Sequence, residues 1–237
     1  GPTGFELGTG NIVATSNNYY SLTNLEPGTE YRFYVRSMCS SDTSDYSSIP
    51  GILRTECAEI VALPWVPNLE EYNWVGDSSP YCWDYLNGGN EYAKWTNVIG
   101  ESYVRTGTAA IRYNSSNNDS DSIFSVDWLI TPVLPLIGNE QLNFWMHVPV
   151  GYSSDTLVGR FAIYACTVNE NDDVLDISRF VCVYPRIEML ATTDFVEYTL
   201  PLTNLTGNVR LAFVIDTVSD KFYIDDLMVE TIPTCPK

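Results

Sequence analysis

Short runs of alternating apolar and polar residues, interrupted every few positions by Asn, Gly, Ser and Pro, run through the whole chain. Alternation sends successive side chains to opposite faces of an extended backbone, so the pattern predicts strands with one buried face. Over residues 1–56 it predicts strands at Asn11–Thr15, Tyr19–Thr23, Glu30–Met38 and Gly51–Thr55. Farther along it predicts strands at Gln141–Val148, Arg160–Cys166, Phe180–Tyr184, Phe195–Leu200, Asn208–Asp216 and Phe222–Val229, each alternating or rich in β-branched and aromatic residues. The fold class expected is all-β, with enough strands in the second part of the chain for a jelly-roll β-sandwich.

Composition narrows the partners. A formal charge of −18 repels phosphate backbones, and Lys is confined to Lys94, Lys221 and Lys237 while the arginines are scattered, so nucleic acid is excluded as a partner. The same acidity suits hard cations, for which loop carboxylates are the natural ligands. Pro64, Pro67, Pro132 and Pro135 interrupt the longest apolar stretches, so no membrane insertion through an apolar helix is expected. The six cysteines lack the C-x-x-C spacing and histidine partners of a zinc site, which points to disulfides in an oxidising, extracellular compartment. Spacing leaves the pairing open; Cys57 with Cys82, and Cys166 with Cys182 on neighbouring strands, are the candidate bridges.

Catalytic chemistry has little to stand on. His147 is the single histidine and lies in an alternating strand, and neither a G-x-S-x-G elbow nor a second imidazole accompanies it. Paired carboxylates are always available among thirty acidic residues, but the compact E-x-D-x-x-E strand signature of sandwich glycosidases is missing. The expectation is not an enzyme. Trp65, Trp74, Trp83 and Trp95 fall with Tyr72, Tyr81, Tyr85 and Tyr92 in a segment of low regularity, where aromatic faces stack on sugar rings or anchor protein interfaces. Trp74, Trp83 and Trp95 are therefore candidate ligand-binding residues, with one or two of the four tryptophans expected to be exposed.

Two stretches carry a resemblance. In Leu25-Glu26-Pro27-Gly28-Thr29-Glu30-Tyr31 a Pro-Gly turn delivers a tyrosine to the start of a strand, where its hydroxyl can bond back to the turn. With Tyr31–Cys39 after it, this resembles the second half of a fibronectin type III module, implying a partial sandwich over 1–56 whose open edge invites self-association. From Leu63-Pro64 and Glu70, through Val126-Asp127-Trp128-Leu129-Ile130-Thr131-Pro132, to Tyr223-Ile224-Asp225-Asp226, residues 57–231 resemble the MAM-like, cleaved-adhesin jelly rolls of Bacteroidetes surface proteins. Residues 232–237 are similar to the opening of a following module, so the chain is expected to begin inside one module and end at the threshold of another, leaving Cys39 and Cys235 without their natural partners.

The second resemblance implies a structural calcium ion held by Glu70 with Asp225 and Asp226, stapling the first and last strands; the Asp-Gly-Asp-Gly loop of many relatives is missing. It also implies an adhesion or ligand-binding module of a secreted or cell-surface protein, its partner a host or cell-surface protein or a glycan. The alternatives are a carbohydrate-binding accessory region of a secreted glycoside hydrolase or protease, and a structural spacer.

Overall fold

The computed structural model describes residues 1–2, 4–40, 42–70, 82–88, 94–100, 102–114, 126–149, 157–169, 175–218 and 221–233. It divides into two compact units, Gly1–Glu59 and Ile60–Lys237.

The first unit is thinly built. β1 (Glu30–Phe33) pairs antiparallel with β4 (Gly51–Arg54), and β2 (Met38–Cys39) with β3 (Asp42–Thr43). Tyr31 Oη accepts the Glu26 amide at 2.8 Å, so the turn ahead of β1 is tied to its own strand. Across the β1–β4 ladder Glu30 faces Arg54, and their side chains pair at 2.8 Å. The strands expected at Asn11–Thr15 and Tyr19–Thr23 do not form. Ile12, Val13, Tyr19, Tyr20 and Leu22 are exposed there. Alternation alone leaves the backbone amides unsatisfied without a ladder partner, and the described residues supply none.

The second unit is a two-sheet sandwich. One sheet has the order β13 (Val196–Pro201), β10 (Glu140–His147), β15 (Phe222–Thr231), β7 (Ala109–Asn114), β6 (Lys94–Ile99). The other runs β12 (Val181–Leu190), β11 (Leu157–Thr167), β14 (Thr206–Val218), β8 (Trp128–Ile130), β5 (Asp84–Leu86), with β9 (Leu134–Ile137) on the far end of β14. Every pairing is antiparallel. Inward residues of the two sheets, among them Leu142, Phe144, Phe161, Ile163, Leu211, Phe213, Phe222 and Ile224, form one core. Phe144, Phe161, Phe213 and Phe222 meet edge-on or stacked within it at 5.8 to 6.2 Å. The chain is thus all-β, and its second unit has the sandwich architecture expected. Among the described residues no helix is long and apolar enough to cross a membrane.

Cys57 and Cys82 are disulfide-bonded. Cys166 and Cys182 are thiols, against the expectation that they bridge their strands. The two strands are neighbours, but Cys182 stands opposite Tyr164, which leaves Cys166 diagonal to it. Diagonal partners lie about 7–8 Å apart, beyond the reach of an unstrained disulfide. Cys166 is buried and directs its thiol to Thr167 O, whereas Cys182 is exposed. Cys39 is an exposed thiol, and Cys235 lies outside the described residues.

Candidate functional site

Three buried carboxylates serve the backbone. Asp127 accepts the Gly88 amide at 2.8 Å and the buried Tyr113 hydroxyl at 2.6 Å. Glu140 closes the turn between β9 and β10 by accepting the amides of Ile137, Gly138 and Asn139. Asp225, on β15, accepts Arg105 N at 2.7 Å and Thr106 N at 3.2 Å through Oδ2, and Asp226 N at 2.8 Å through Oδ1. Burial pushes the Asp225 carboxyl above its ordinary value, while those amides hold it down and the neighbouring Asp226 charge raises it.

Asp225 and Asp226 meet the segment 105–108, and so does Glu70. The Arg105 guanidinium pairs with Asp226 Oδ2, and the Thr106 hydroxyl donates to Asp226 Oδ1. Thr108 donates its amide to Glu70 Oε2 at 2.6 Å and its hydroxyl to the same oxygen. Gly107 between them has φ +70, and a Cβ there would collide with the Glu70 carboxylate. Asp226 itself has φ 47, at a ladder irregularity that turns two successive acids toward one loop. Glu70 on one side and Asp225 with Asp226 on the other each bind the same loop of this chain. The donors do not fit a calcium cage. Amides, hydroxyls and a guanidinium point into the carboxylate oxygens where a cation would need six to eight oxygen ligands, and among the described residues no group of three or more acidic, Cys or His side chains could hold a metal ion.

The same loop borders the outward face of the five-stranded sheet. Arg105 Cζ lies 3.7 Å over the ring of Trp145, the outward residue of β10 that stands between Glu197 and Asp225 in register. Tyr103 stacks on Tyr223 at 4.6 Å with 11° between ring planes, and His147 lies on Tyr223 at 6.3 Å and on Phe195 at 5.2 Å. His147 Nδ1 is 3.2 Å from Thr192 Oγ1, and burial lowers its pKa. Along the face, Gln141 Nε2 and Asn143 Nδ2 both donate to Glu230 Oε1, at 3.0 and 2.8 Å. Half-buried Trp145, exposed Tyr103 and this amide–carboxylate group compose a mixed aromatic and polar surface on rigid strands.

Of the aromatic residues expected to bind ligand, Trp83 and Trp95 are core residues, 4% and 3% exposed. Trp95 points inward from β6 opposite Tyr113 and meets Phe222 at 5.5 Å; Trp83 packs on half-buried Trp65 at 5.6 Å. Trp74 lies outside the described residues. The aromatic residues on the candidate face are instead Tyr103, Trp145 and Tyr223. The signal of Trp145 in the sequence was an aromatic at an outward position of an otherwise polar strand stripe, Gln141, Asn143, Trp145, His147. Arg105 had no such signal, because its role depends on a loop crossing to β15.

Neither a family model nor a curated protein matches the sequence. The fold does have solved counterparts. The K1 cleaved adhesin domain of Lys-gingipain from Porphyromonas gingivalis W83 aligns with 73% of this chain and 100% of its own, at 14% identity and a TM-score of 0.50. The K2 cleaved adhesin domain of Lys-gingipain aligns with 71% of this chain and 100% of its own, at 12% identity and a TM-score of 0.51. A xylan-binding domain from Paenibacillus barcinonensis Xyn10C covers 75% of this chain and 100% of its own at 11% identity, with a TM-score of 0.44. For the two adhesin domains, at these identities, the likeness is one of fold.

Proposed function

We propose that the chain is a non-catalytic adhesion or ligand-binding module of a larger secreted or cell-surface protein, and that its ligand face is the outward side of the five-stranded sheet. One observation carries this reading. Buried Asp127, Glu140 and Asp225 are taken up by bonds to amides of this chain, and Asp225, through the amides of Arg105 and Thr106, fixes a loop beside an aromatic and polar surface. A face of this kind binds by stacking and hydrogen bonding without reacting groups. The disulfide-bonded state of Cys57 and of Cys82 supports an oxidising compartment.

A glycan is the ligand class that Gln141, Asn143 and Glu230 on a face with the exposed ring of Tyr103 favour, since amide and carboxylate groups near an aromatic ring suit sugar hydroxyls and the apolar face of a sugar ring. The accessory role beside a hydrolase shares that chemistry. In the first unit, the Tyr31 hydroxyl bonded to Glu26 N supports the partial fibronectin type III reading.

Screening the chain against a glycan array and against immobilised host-cell proteins tests the function. Trp145→Ala and Tyr103→Ala should reduce whichever binding is found by tenfold or more, about the 1.4 kcal/mol that a stacked aromatic supplies. Binding that both variants retain in full would place the ligand elsewhere and leave this face a solvated surface. No binding in either screen favours the spacer.

A further inference from the structure

We infer that the Arg105 guanidinium, paired with Asp226, takes the place that a divalent ion would fill near Glu70, Asp225 and Asp226, so that the last strand of the sandwich and the loop 105–108 are held together by a cation of this chain. The inference does not depend on what the ligand face binds.

The geometry gives the guanidinium two partners at once. One is Asp226 Oδ2. The other is the Trp145 ring, 3.7 Å from Arg105 Cζ. A planar, weakly hydrated cation fits between a carboxylate and an indole face, where a hydrated calcium ion finds oxygen on one side only. The Arg105 side chain is 34% exposed and that of Asp226 26%, so the pair is partly shielded from water and salt. The arginine backbone reinforces its own placement, since its amide is bound by Asp225 Oδ2. Thr106 and Thr108 supply hydroxyls as donors, the reverse of the acceptor role that hydroxyl oxygens take around calcium. Glu70 accepts the amide and hydroxyl of Thr108, on the far side of Gly107.

Thermal melting of the whole chain tests this, in excess calcium and in excess chelator. Wild type should melt at the same temperature in both, because an ion that does not bind the folded state cannot stabilise it. Arg105→Met should melt about 2–4 °C lower in both buffers, and Arg105→Lys, which keeps the charge but loses the fork and the flat stack, should fall between. If Arg105→Met does not fold, the double variant Arg105→Met/Asp226→Asn, which removes both charges, should fold again. A wild-type transition that drops in chelator and recovers with calcium overturns the inference, as does an Arg105→Met variant that melts like wild type. A double variant no better folded than Arg105→Met overturns it too, by showing a packing role unrelated to the pair.

Discussion

His147 is the only histidine of the chain, so the imidazole part of any stability change near neutral pH belongs to one residue. Burial lowers its pKa from 6.5, with the Asp194 charge and backbone opposing that shift. Below pH 6.5 the unfolded chain takes up a proton that the folded chain resists, so this residue's contribution is complete above 6.5 and is lost as pH falls through the folded value. Urea midpoints should decline between about pH 7.5 and about pH 5.5, and His147→Gln should flatten the decline. An unchanged slope in the variant would assign the proton uptake to other groups. The tryptophans separate in the same residue-by-residue way. Trp83→Ala and Trp95→Ala should each destabilise by about 3–5 kcal/mol, the usual result of emptying a buried aromatic site, whereas both were legible in the sequence only as members of an aromatic-rich stretch. Spacing could not show that Trp95 faces inward, because that depends on its register with Tyr113.

Elements were legible where a strand finds a ladder partner. β10, β13, β14 and β15 fall within a few residues of the alternating segments that predict them, since burial of one face leaves its imprint on composition. Residues 11–23 carry the same imprint without a ladder partner, and no strand follows. Loops were illegible for the opposite reason: their conformation is set by distant acceptors. The segment 105–108 shows this, being a short Thr- and Gly-containing link whose amides and hydroxyls find Glu70, Asp225 and Asp226 far away in the chain. Gly107 is its most sensitive position. An alanine there meets both a left-handed backbone and the Glu70 carboxylate, so Gly107→Ala should destabilise by about 1–2 kcal/mol through the backbone alone. The drop should shrink in a Glu70→Ala background, where the collision is gone and only the strain remains. Equal losses in the two backgrounds would mean that the carboxylate simply moves aside.

For the molecule as a whole, the excess of negative charge is the property that every partner encounters first. A net charge of −18 opposes compaction through repulsion spread over the surface. The favourable pairs Arg54–Glu30, Arg160–Glu188 and Arg210–Asp84 are partly or largely solvated, and such pairs add at most about 1 kcal/mol each. Salt screens both effects, with a Debye length of about 10 Å at 0.1 M, but the repulsion acts between many more pairs of charges than the attraction does. Adding sodium chloride from low to physiological ionic strength should therefore raise the melting temperature, and a fall on calorimetry would show that the pairs outweigh the repulsion. The same field sorts ligands. A neutral oligosaccharide bound on this face should bind with an affinity indifferent to salt, whereas a sulfated or uronate polymer must overcome the charge of the whole chain. If the latter bound tightly at low salt and weakened as salt rose, the ligand face would have to lie around a local basic cluster, and the scattered arginines make none of that size.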